Sequence, residues 1–198
     1  MLIYIVRHGL TEWNKLKKLQ GAADVPLAKE GILLAEKTGE ALQGVKFDIC
    51  CTSPLSRAKQ TAECVLGKRD VPIIPDMRIQ EIDFGVLEGD QVRDADGNYI
   101  DPQIETFFRD PVNFKRPEKG EDIFDVIART KDFWDEKTSD PTLSDKTILV
   151  ASHGCAVRAL LQNVDPDPKN FWRGYLPPKC CVNLVVVKYG KTTLLEED

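Results

Sequence analysis

Short runs of consecutive apolar residues recur along the chain, and a polar or glycine-rich stretch follows each of them. Four of these runs are LIYIV (2–6), FDICC (47–51), VPIIPD (71–76) and KTILVAS (146–152). Runs of this length with many β-branched residues are typical of strands buried inside a parallel sheet. CVNLVVVKYG (181–190) predicts a fifth strand, and KTTLLEE predicts a sixth that pairs with it through a turn at Tyr189-Gly190.

Apolar residues at helical spacing separate these strands. The pattern predicts helices over 31–44, 54–66, 121–137 and 155–163. In the second helix we expect Ser53 to be the N-cap and Pro54 to occupy the first helical position. Strands that alternate with helices predict an α/β fold, a three-layer sandwich with a mainly parallel central sheet and helices on both faces.

Residues 84–120 interrupt this alternation. The segment contains glycines, three prolines, a DADGN turn signal and the aromatic residues Phe107, Phe108 and Phe114. It is too long for a plain connection, and long insertions of this kind often form lids over a site. The chain of 198 residues is therefore expected to form one domain, 1–198, with a small lid insertion at 84–120.

Composition and charge narrow the partners that we expect. The net charge is −5 and charged residues make up 30% of the chain, without the basic stripe that nucleic-acid binding requires. No apolar stretch approaches the roughly 20 residues of a membrane span, and the start of the chain does not resemble a signal peptide. The six cysteines lack zinc-site spacing, so we expect reduced, largely buried thiols in a cytoplasmic protein, either a monomer or a homodimer.

Chemically active residues follow four of the predicted strands. The first strand ends in Arg7-His8-Gly9, the second leads to Arg57, the third leads to Glu81, and the fourth ends in Ser152-His153-Gly154. Ligands of open parallel sheets bind beyond the carboxyl ends of the strands, so these side chains are expected to share one site. A glycine after each histidine lets the backbone turn sharply and a ligand approach closely.

These residue types favour phosphoryl transfer. Two guanidinium groups suit a phosphate dianion, and a neutral histidine is a competent nucleophile. A second, cationic histidine would stabilise the phosphoryl oxygens, and Glu81 could protonate the leaving oxygen and later activate water. The sequence contains no magnesium or zinc ligand pattern and no GxxxxGK[ST] motif, so we expect a reaction without metal or cofactor.

Six segments, taken in order, resemble the histidine phosphatase superfamily, in its phosphoglycerate-mutase-like branch (branch 1). They are RHGLTEWN, LQGAADVPLAKEG, CTSPLSRAKQTA, EIDFGVLEG, GED and ASHGCAVRALL, and the matches run from residue 3 to about 162. The resemblance implies that His8 is the phosphorylated nucleophile and Glu81 the proton donor. The phosphate-binding set that we expect is Arg7, Asn14, Gln20, Gly21, Arg57, His153 and Gly154, of which Arg7, Arg57 and His153 are also counted as catalytic.

Two positions depart from the family pattern. Leu10 stands where the family commonly has glutamate, and Cys155 stands where it often has a second glycine. Neither replaces a residue with a catalytic role, so we expect them to alter substrate contacts only.

The predicted function is a metal-independent phosphomonoesterase that hydrolyses a small phosphorylated metabolite through a phosphohistidine and releases inorganic phosphate. The main alternative is a cofactor-dependent phosphoglycerate mutase. It is disfavoured because segment 84–120 holds eight acidic and five basic residues, a poor cradle for a second anionic group. Two further alternatives are a cysteine-dependent phosphatase, since Cys51 and Arg57 have C-x5-R spacing, and a non-catalytic phosphate-binding module.

Overall fold

A six-stranded mixed sheet forms the centre of the computed structural model, which describes residues 1–197. The strands are β1 (Leu2–Arg7), β2 (Ile49–Thr52), β3 (Ile73–Pro75), β4 (Thr147–Ser152), β5 (Val182–Lys188) and β6 (Lys191–Glu196). Their order is β3-β2-β4-β1-β5-β6. The first four strands in this order run parallel, and β5 is antiparallel to both of its neighbours. The mainly parallel sheet is confirmed, as is the final hairpin.

Helices lie between the strands as predicted. They are α1 (Glu12–Lys15), α2 (Lys29–Ala41), α3 (Ser56–Leu66), α4 (Pro102–Arg109), α5 (Ile123–Ser139) and α6 (Gly154–Leu161). Within residues 1–197, none of the helices combines the length and the hydropathy that crossing a bilayer requires.

The predicted start of α3 is wrong. The helix begins at Ser56, and its N-cap residue is Leu55, which makes no side-chain capping bond. Ser53 follows β2 and continues its pairing with β4, because its N–H donates to the Ala151 carbonyl at 3.0 Å. Its hydroxyl instead accepts from the N–H of Leu55 at 3.3 Å. Pairing with β4 therefore delays the turn into the helix by two residues.

Alternate residues of β4 build two separate cores. Ile148 and Val150 pack with side chains of α5 and α6, whereas Leu149 and Ala151 pack with side chains of α3. Successive residues of a strand point to opposite faces, so the sheet is covered by helices on both sides. The predicted three-layer α/β architecture is confirmed.

Segment 84–120 is anchored by aromatic packing against the rest of the chain. The ring of Phe107 lies 4.8 Å from that of Phe84 and 5.2 Å from that of Trp172, in edge-to-face contacts. The indole N–H of Trp172 donates to the Phe107 carbonyl at 2.9 Å. The segment also contains α4, which was not predicted, although Asp101 caps it by accepting from the N–H of Gln103.

Gly39 lets α2 lie directly against α3, and this contact is open to test. A Cβ at Gly39 would lie 2.7 Å from the Val65 carbonyl oxygen and 2.8 Å from that of Cys64. Because backbone atoms cannot move aside as a flexible side chain would, the clash outweighs the gain in helix propensity. We expect Gly39→Ala to lower the free energy of unfolding by about 1–2 kcal/mol, as measured by chemical denaturation.

The matched control is Gly44→Ala, because a Cβ there meets no atom within 4 Å. We expect this variant to be as stable as the parent or slightly more stable. Equal losses in both variants would contradict the packing explanation.

Candidate active site

The parallel pairing of β1 with β4 places the two histidines side by side. Arg7 ends β1 in register with Ser152, which ends β4. The next residue on each strand is a histidine, and the N–H of His8 donates to the Ser152 carbonyl at 2.9 Å. The centroids of the two imidazole rings are 5.2 Å apart. The two HG segments therefore meet at one edge of the sheet.

His8 is held as a neutral imidazole with a defined tautomer. Its Nδ1 lies 2.6 Å from the Gly9 carbonyl oxygen, which can only accept, so Nδ1 carries the proton and Nε2 keeps its lone pair. Burial, joined by repulsion from Lys179 and other cations, lowers the pKa of His8 well below its ordinary value. This is the state that a nucleophilic imidazole requires.

His153 is also neutral, which corrects the prediction of a cationic second histidine. Its Nδ1 accepts from Nε of Arg57 at 3.1 Å, so the proton resides on Nε2. Burial and the nearby Arg57 guanidinium lower the pKa of His153 well below its ordinary value. Nε2 is buried and has no hydrogen-bond partner within residues 1–197. His153 therefore offers an N–H donor rather than a full charge.

Arg57 organises the site around itself from the first turn of α3. Besides His153, its guanidinium donates to the carbonyls of Gly21 at 2.6 Å and Ala23 at 2.8 Å. The side chain is completely buried, and burial lowers its pKa to about 10. Arg57 thereby ties the loop after α1 to the second histidine.

Arg7 packs flat against the start of α6. Its guanidinium donates to the Pro177 carbonyl, while its Nε is buried without a hydrogen-bond partner in the described part of the chain. A Cβ at Gly154 would lie 3.2 Å from the Arg7 guanidinium carbon. The glycine after the second histidine therefore leaves room for this cation.

Glu81 is fixed at the N-terminus of α6, the helix that begins in the second HG segment. Its carboxylate accepts from the N–H groups of Ile82 and Ala156, both at 3.1 Å, and of Cys155 at 3.3 Å. It is buried and lines the same pocket as Arg7 and Gly154. The structure thus brings the predicted acid and the predicted phosphate-binding cation together.

Arg129 supports the Glu81 segment from behind, and the sequence carries no specific signal for it. Its guanidinium donates to the carbonyls of Arg78 at 2.9 Å, Gln80 at 2.6 Å and Glu81 at 2.9 Å. The same group pairs with Glu121 of the GED segment at 2.9 Å. The local sequence of the amphipathic helix α5 does not distinguish Arg129 from a surface arginine. Its contacts with distant carbonyls are visible only in the tertiary structure.

Asn14 and Gln20 both line the pocket, as expected. Asn14 belongs to a capping box with Thr11 at the start of α1, and its amide donates to Oε1 of Gln20 at 3.2 Å. The Nε2 atom of Gln20 is buried and has no partner within residues 1–197. Two amide side chains therefore share the pocket with Arg7, a predicted phosphate-binding cation.

Gly21 serves the loop rather than the pocket in this structure. Its N–H donates to the carboxylate of Glu88 at 3.0 Å and its carbonyl accepts from Arg57. A Cβ would lie 2.1 Å from the Ile82 carbonyl oxygen. The close approach of two backbone segments explains why glycine occupies this position.

The pocket has a volume of about 520 Å³ and two kinds of wall. Its inner end holds Arg7, Glu81 and a residue that sequence reasoning missed, Lys179. Its apolar wall contains Leu10, Leu19, Phe84, Val92, Phe108, Cys155, Trp172 and Leu176, and its outer rim carries Lys17, Lys18 and Arg93. We call the inner end with Arg7, Glu81 and Lys179 the floor of the pocket, and the space beside the apolar wall the apolar chamber.

Cys51 lies in the sheet and not in the pocket wall. It is buried among the apolar side chains between the sheet, α5 and α6. Burial raises the pKa of its thiol to about 11, whereas a nucleophilic cysteine must ionise readily. The arrangement disfavours the cysteine-dependent alternative.

Comparison with known proteins identifies the family of this chain. The sequence profile of the histidine phosphatase superfamily (branch 1) matches residues 3–197. The chain is 34% identical over 169 residues to a 2,3-bisphosphoglycerate-dependent phosphoglycerate mutase from Methylobacterium sp. (strain 4-46), covering 83% of this chain and 80% of that protein.

Solved structures show the same fold. Bacillus stearothermophilus YhfR superposes with a TM-score of 0.89 at 29% identity, covering 99% of this chain and 96% of that one. The alpha-ribazole phosphatase from Shigella flexneri superposes with a TM-score of 0.84 at 25% identity, covering 98% and 94%. With this likeness over nearly its whole length, the chain belongs to branch 1 of the histidine phosphatase superfamily, whose members are phosphoryl-transfer enzymes.

Proposed function

We propose that this protein hydrolyses small phosphomonoesters through a phosphorylated His8. The observation that carries the proposal is the fixed tautomer of His8, whose Nδ1–H faces the Gly9 carbonyl. This leaves Nε2 to attack phosphorus, beside the His153 ring. A small phosphorylated metabolite and inorganic phosphate are the substrate and product that such a site would bind.

The first step forms a phosphohistidine. Nε2 of His8 attacks phosphorus while the bond from phosphorus to the ester oxygen breaks. The protonated carboxyl of Glu81 gives its proton to that oxygen, so that a neutral alcohol leaves. Arg7 and the N–H of His153 stabilise the oxygens of the transferring group.

The second step returns the enzyme to its starting state. The Glu81 carboxylate takes a proton from a water molecule as that water attacks phosphorus. The bond from phosphorus to Nε2 breaks, inorganic phosphate leaves, and His8 regains its lone pair. Because Glu81 lost one proton in the first step and gains one in the second, the cycle is balanced.

The apolar chamber supports water as the acceptor. Phe84 and Trp172 are buried and Phe108 is half-buried, and they face the pocket with Leu10. Such a wall favours the apolar part of a leaving alcohol and offers no donors to a second phosphate.

Phosphoglycerate mutase activity is the second candidate, and the names of curated relatives favour it over hydrolysis. The relative from Methylobacterium carries the mutase name. In addition, Lys17, Lys18 and Arg93 line the outer pocket and could hold a second anionic group. Arg93 comes from the segment whose acidic excess was the sequence-based reason against a mutase.

A phosphate-release assay tests the proposal. With EDTA present, we expect the enzyme to release phosphate from p-nitrophenyl phosphate, and His8→Ala to reduce the rate at least about 10³-fold because the nucleophile is lost. Acid-labile, base-stable labelling of the wild type by ³²P-substrate would identify the phosphohistidine. Full activity of His8→Ala would contradict the mechanism.

An assay on the same enzyme preparation distinguishes hydrolase activity from mutase activity. Given 3-phosphoglycerate with a bisphosphoglycerate primer, a hydrolase produces free phosphate faster than 2-phosphoglycerate. The reverse order would favour the mutase.

Both imidazoles are expected to stay neutral well below pH 6.5, because burial and nearby cations lower the pKa of His8 and of His153. The chain has two histidines, so ¹⁵N NMR of the rings follows each directly, with His8→Asn to assign them. Since the unfolded chain binds these protons at higher pH, stability should fall as the pH drops below about 6.5. Protonation of either folded imidazole between pH 6 and 7 would contradict the structure.

Arg129 is expected to act on the acid step through Glu81. We expect Glu81→Gln to reduce kcat on an alkyl phosphate by about 10²–10⁴-fold, and much less on p-nitrophenyl phosphate, whose leaving group needs little protonation. Arg129→Met should also lower kcat more on the alkyl phosphate than on p-nitrophenyl phosphate, but by a smaller factor than Glu81→Gln. Arg129→Lys should restore part of the lost kcat. The exposed Arg109 provides the control, Arg109→Met; equal losses of Arg129→Met on both substrates would indicate general disruption instead.

A further inference from the structure

The ammonium group of Lys179 is buried without a partner. Its Nζ atom is enclosed by protein and has no hydrogen-bond acceptor among residues 1–197. An ammonium carries three donors, and burying it unpaired is costly. Burial lowers the pKa of Lys179 well below its ordinary value, so an anion bound beside it would favour its charged form.

The position of Lys179 is fixed relative to the phosphate-binding floor. The loop that carries it is tied to β1 on both sides: the Pro177 carbonyl accepts from the Arg7 guanidinium, and the N–H of Cys180 donates to the Arg7 carbonyl at 3.1 Å. Lys179 lines the same pocket as Arg7 and Glu81. The loop therefore presents its cation at the inner end of the pocket.

The charge of Lys179 lowers the pKa of both histidines. Among the charges that lower the pKa of His8, that of Lys179 has the largest effect, after burial itself. Among the charges that lower the pKa of His153, that of Lys179 has the second largest effect, after that of Arg57. The charge of Lys179 thus acts on the proposed nucleophile, His8, and on the histidine beside it.

Within residues 1–197, no carboxylate forms an ion pair with Lys179. Glu81 is the carboxylate that shares its end of the pocket, and the oxygens of Glu81 accept from the backbone N–H groups of Ile82, Cys155 and Ala156. No ion pair links Glu81 to Lys179 within the described residues 1–197. The ammonium is left available for an anionic ligand.

We propose that Lys179 is a phosphate-binding residue, whose ammonium holds an oxygen of the phosphoryl group that His8 attacks. It donates hydrogen bonds in both steps and exchanges no proton with the substrate, so the balance of the reaction is unchanged. This assignment rests on the proposed phosphoryl-transfer function. The rim cations Lys17, Lys18 and Arg93 are the ones placed for a more distant acidic group.

Binding of orthovanadate, which mimics the transferring phosphoryl group, tests the proposal without catalysis. We expect Lys179→Met to weaken vanadate binding in calorimetry by about 10- to 100-fold, the usual effect of losing a charged hydrogen bond. Lys179→Arg should bind within a few-fold of the wild type. The control is Lys191→Met, an exposed lysine of β6, which should bind as the wild type does.

Stability gives an independent signature. Because Lys179→Met removes an unpaired buried charge, its Tm should equal or exceed that of the wild type in the absence of anions. If this variant fails to fold, Lys179→Gln takes its place. Wild-type vanadate affinity in folded Lys179→Met or Lys179→Gln would overturn the proposal.

A comparison of two substrates shows whether Lys179 contacts the phosphoryl group or a second acidic group of the substrate. We expect kcat/KM to fall by a similar factor for p-nitrophenyl phosphate and for phosphoserine, which also carries a carboxylate. A fall confined to phosphoserine would overturn the assignment and place Lys179 on the carboxylate. If the wild type binds vanadate but releases phosphate from neither ester, the proposed hydrolysis fails, while the effect of Lys179→Met on vanadate binding still decides this inference.

Discussion

The parallel register of β1 against β4 is the constraint on which the site depends. Arg7 faces Ser152 across the two central strands, so that His8 and His153 leave the sheet together. A slip by one residue would send every side chain of the strand to the opposite face. Both faces of β4 are packed against helices, which makes such a slip costly. The apolar core therefore determines the distance between the two imidazoles.

Positive charge at this edge is stabilised by backbone carbonyls more than by carboxylates. Arg57 donates to Gly21 and Ala23, and Arg7 donates to Pro177. Carbonyl oxygens satisfy the donors without cancelling the charge, so the floor remains attractive to an anion. Burial, assisted by these cations, lowers the pKa of both imidazoles. Under the proposed mechanism, one arrangement thus favours binding of the phosphoryl group and preserves the lone pair of His8 that attacks it.

The sequence was sufficient to predict the strands, the family and the residues at the strand ends, because short apolar runs and HG pairs are local signals. It could not predict the neutral state of His153, which follows from a 3.1 Å hydrogen bond to a residue nearly one hundred positions away. Lys179 and Arg129 were missed for a similar reason. Each is an ordinary basic residue locally. Arg129 is distinguished by the distant backbone carbonyls to which it donates, and Lys179 by a buried ammonium that has no hydrogen-bond partner within residues 1–197. Ser53 was misassigned because sheet pairing outweighed its capping preference.

The first step is the same for a hydrolase and a mutase. The rim and the apolar wall of the pocket, rather than its floor, therefore determine whether water or a second alcohol accepts the phosphoryl group. A mutase must keep a doubly phosphorylated intermediate bound while that intermediate reorients in the pocket. It must therefore offset the desolvation of a second dianion. Lys17 and Arg93 are exposed, where ion pairs contribute roughly 0–1 kcal/mol each. Leu10 and the aromatic wall contribute no charge. Under the proposed mechanism, a leaving alcohol that this chamber holds can therefore exchange with water, which then attacks the phosphohistidine.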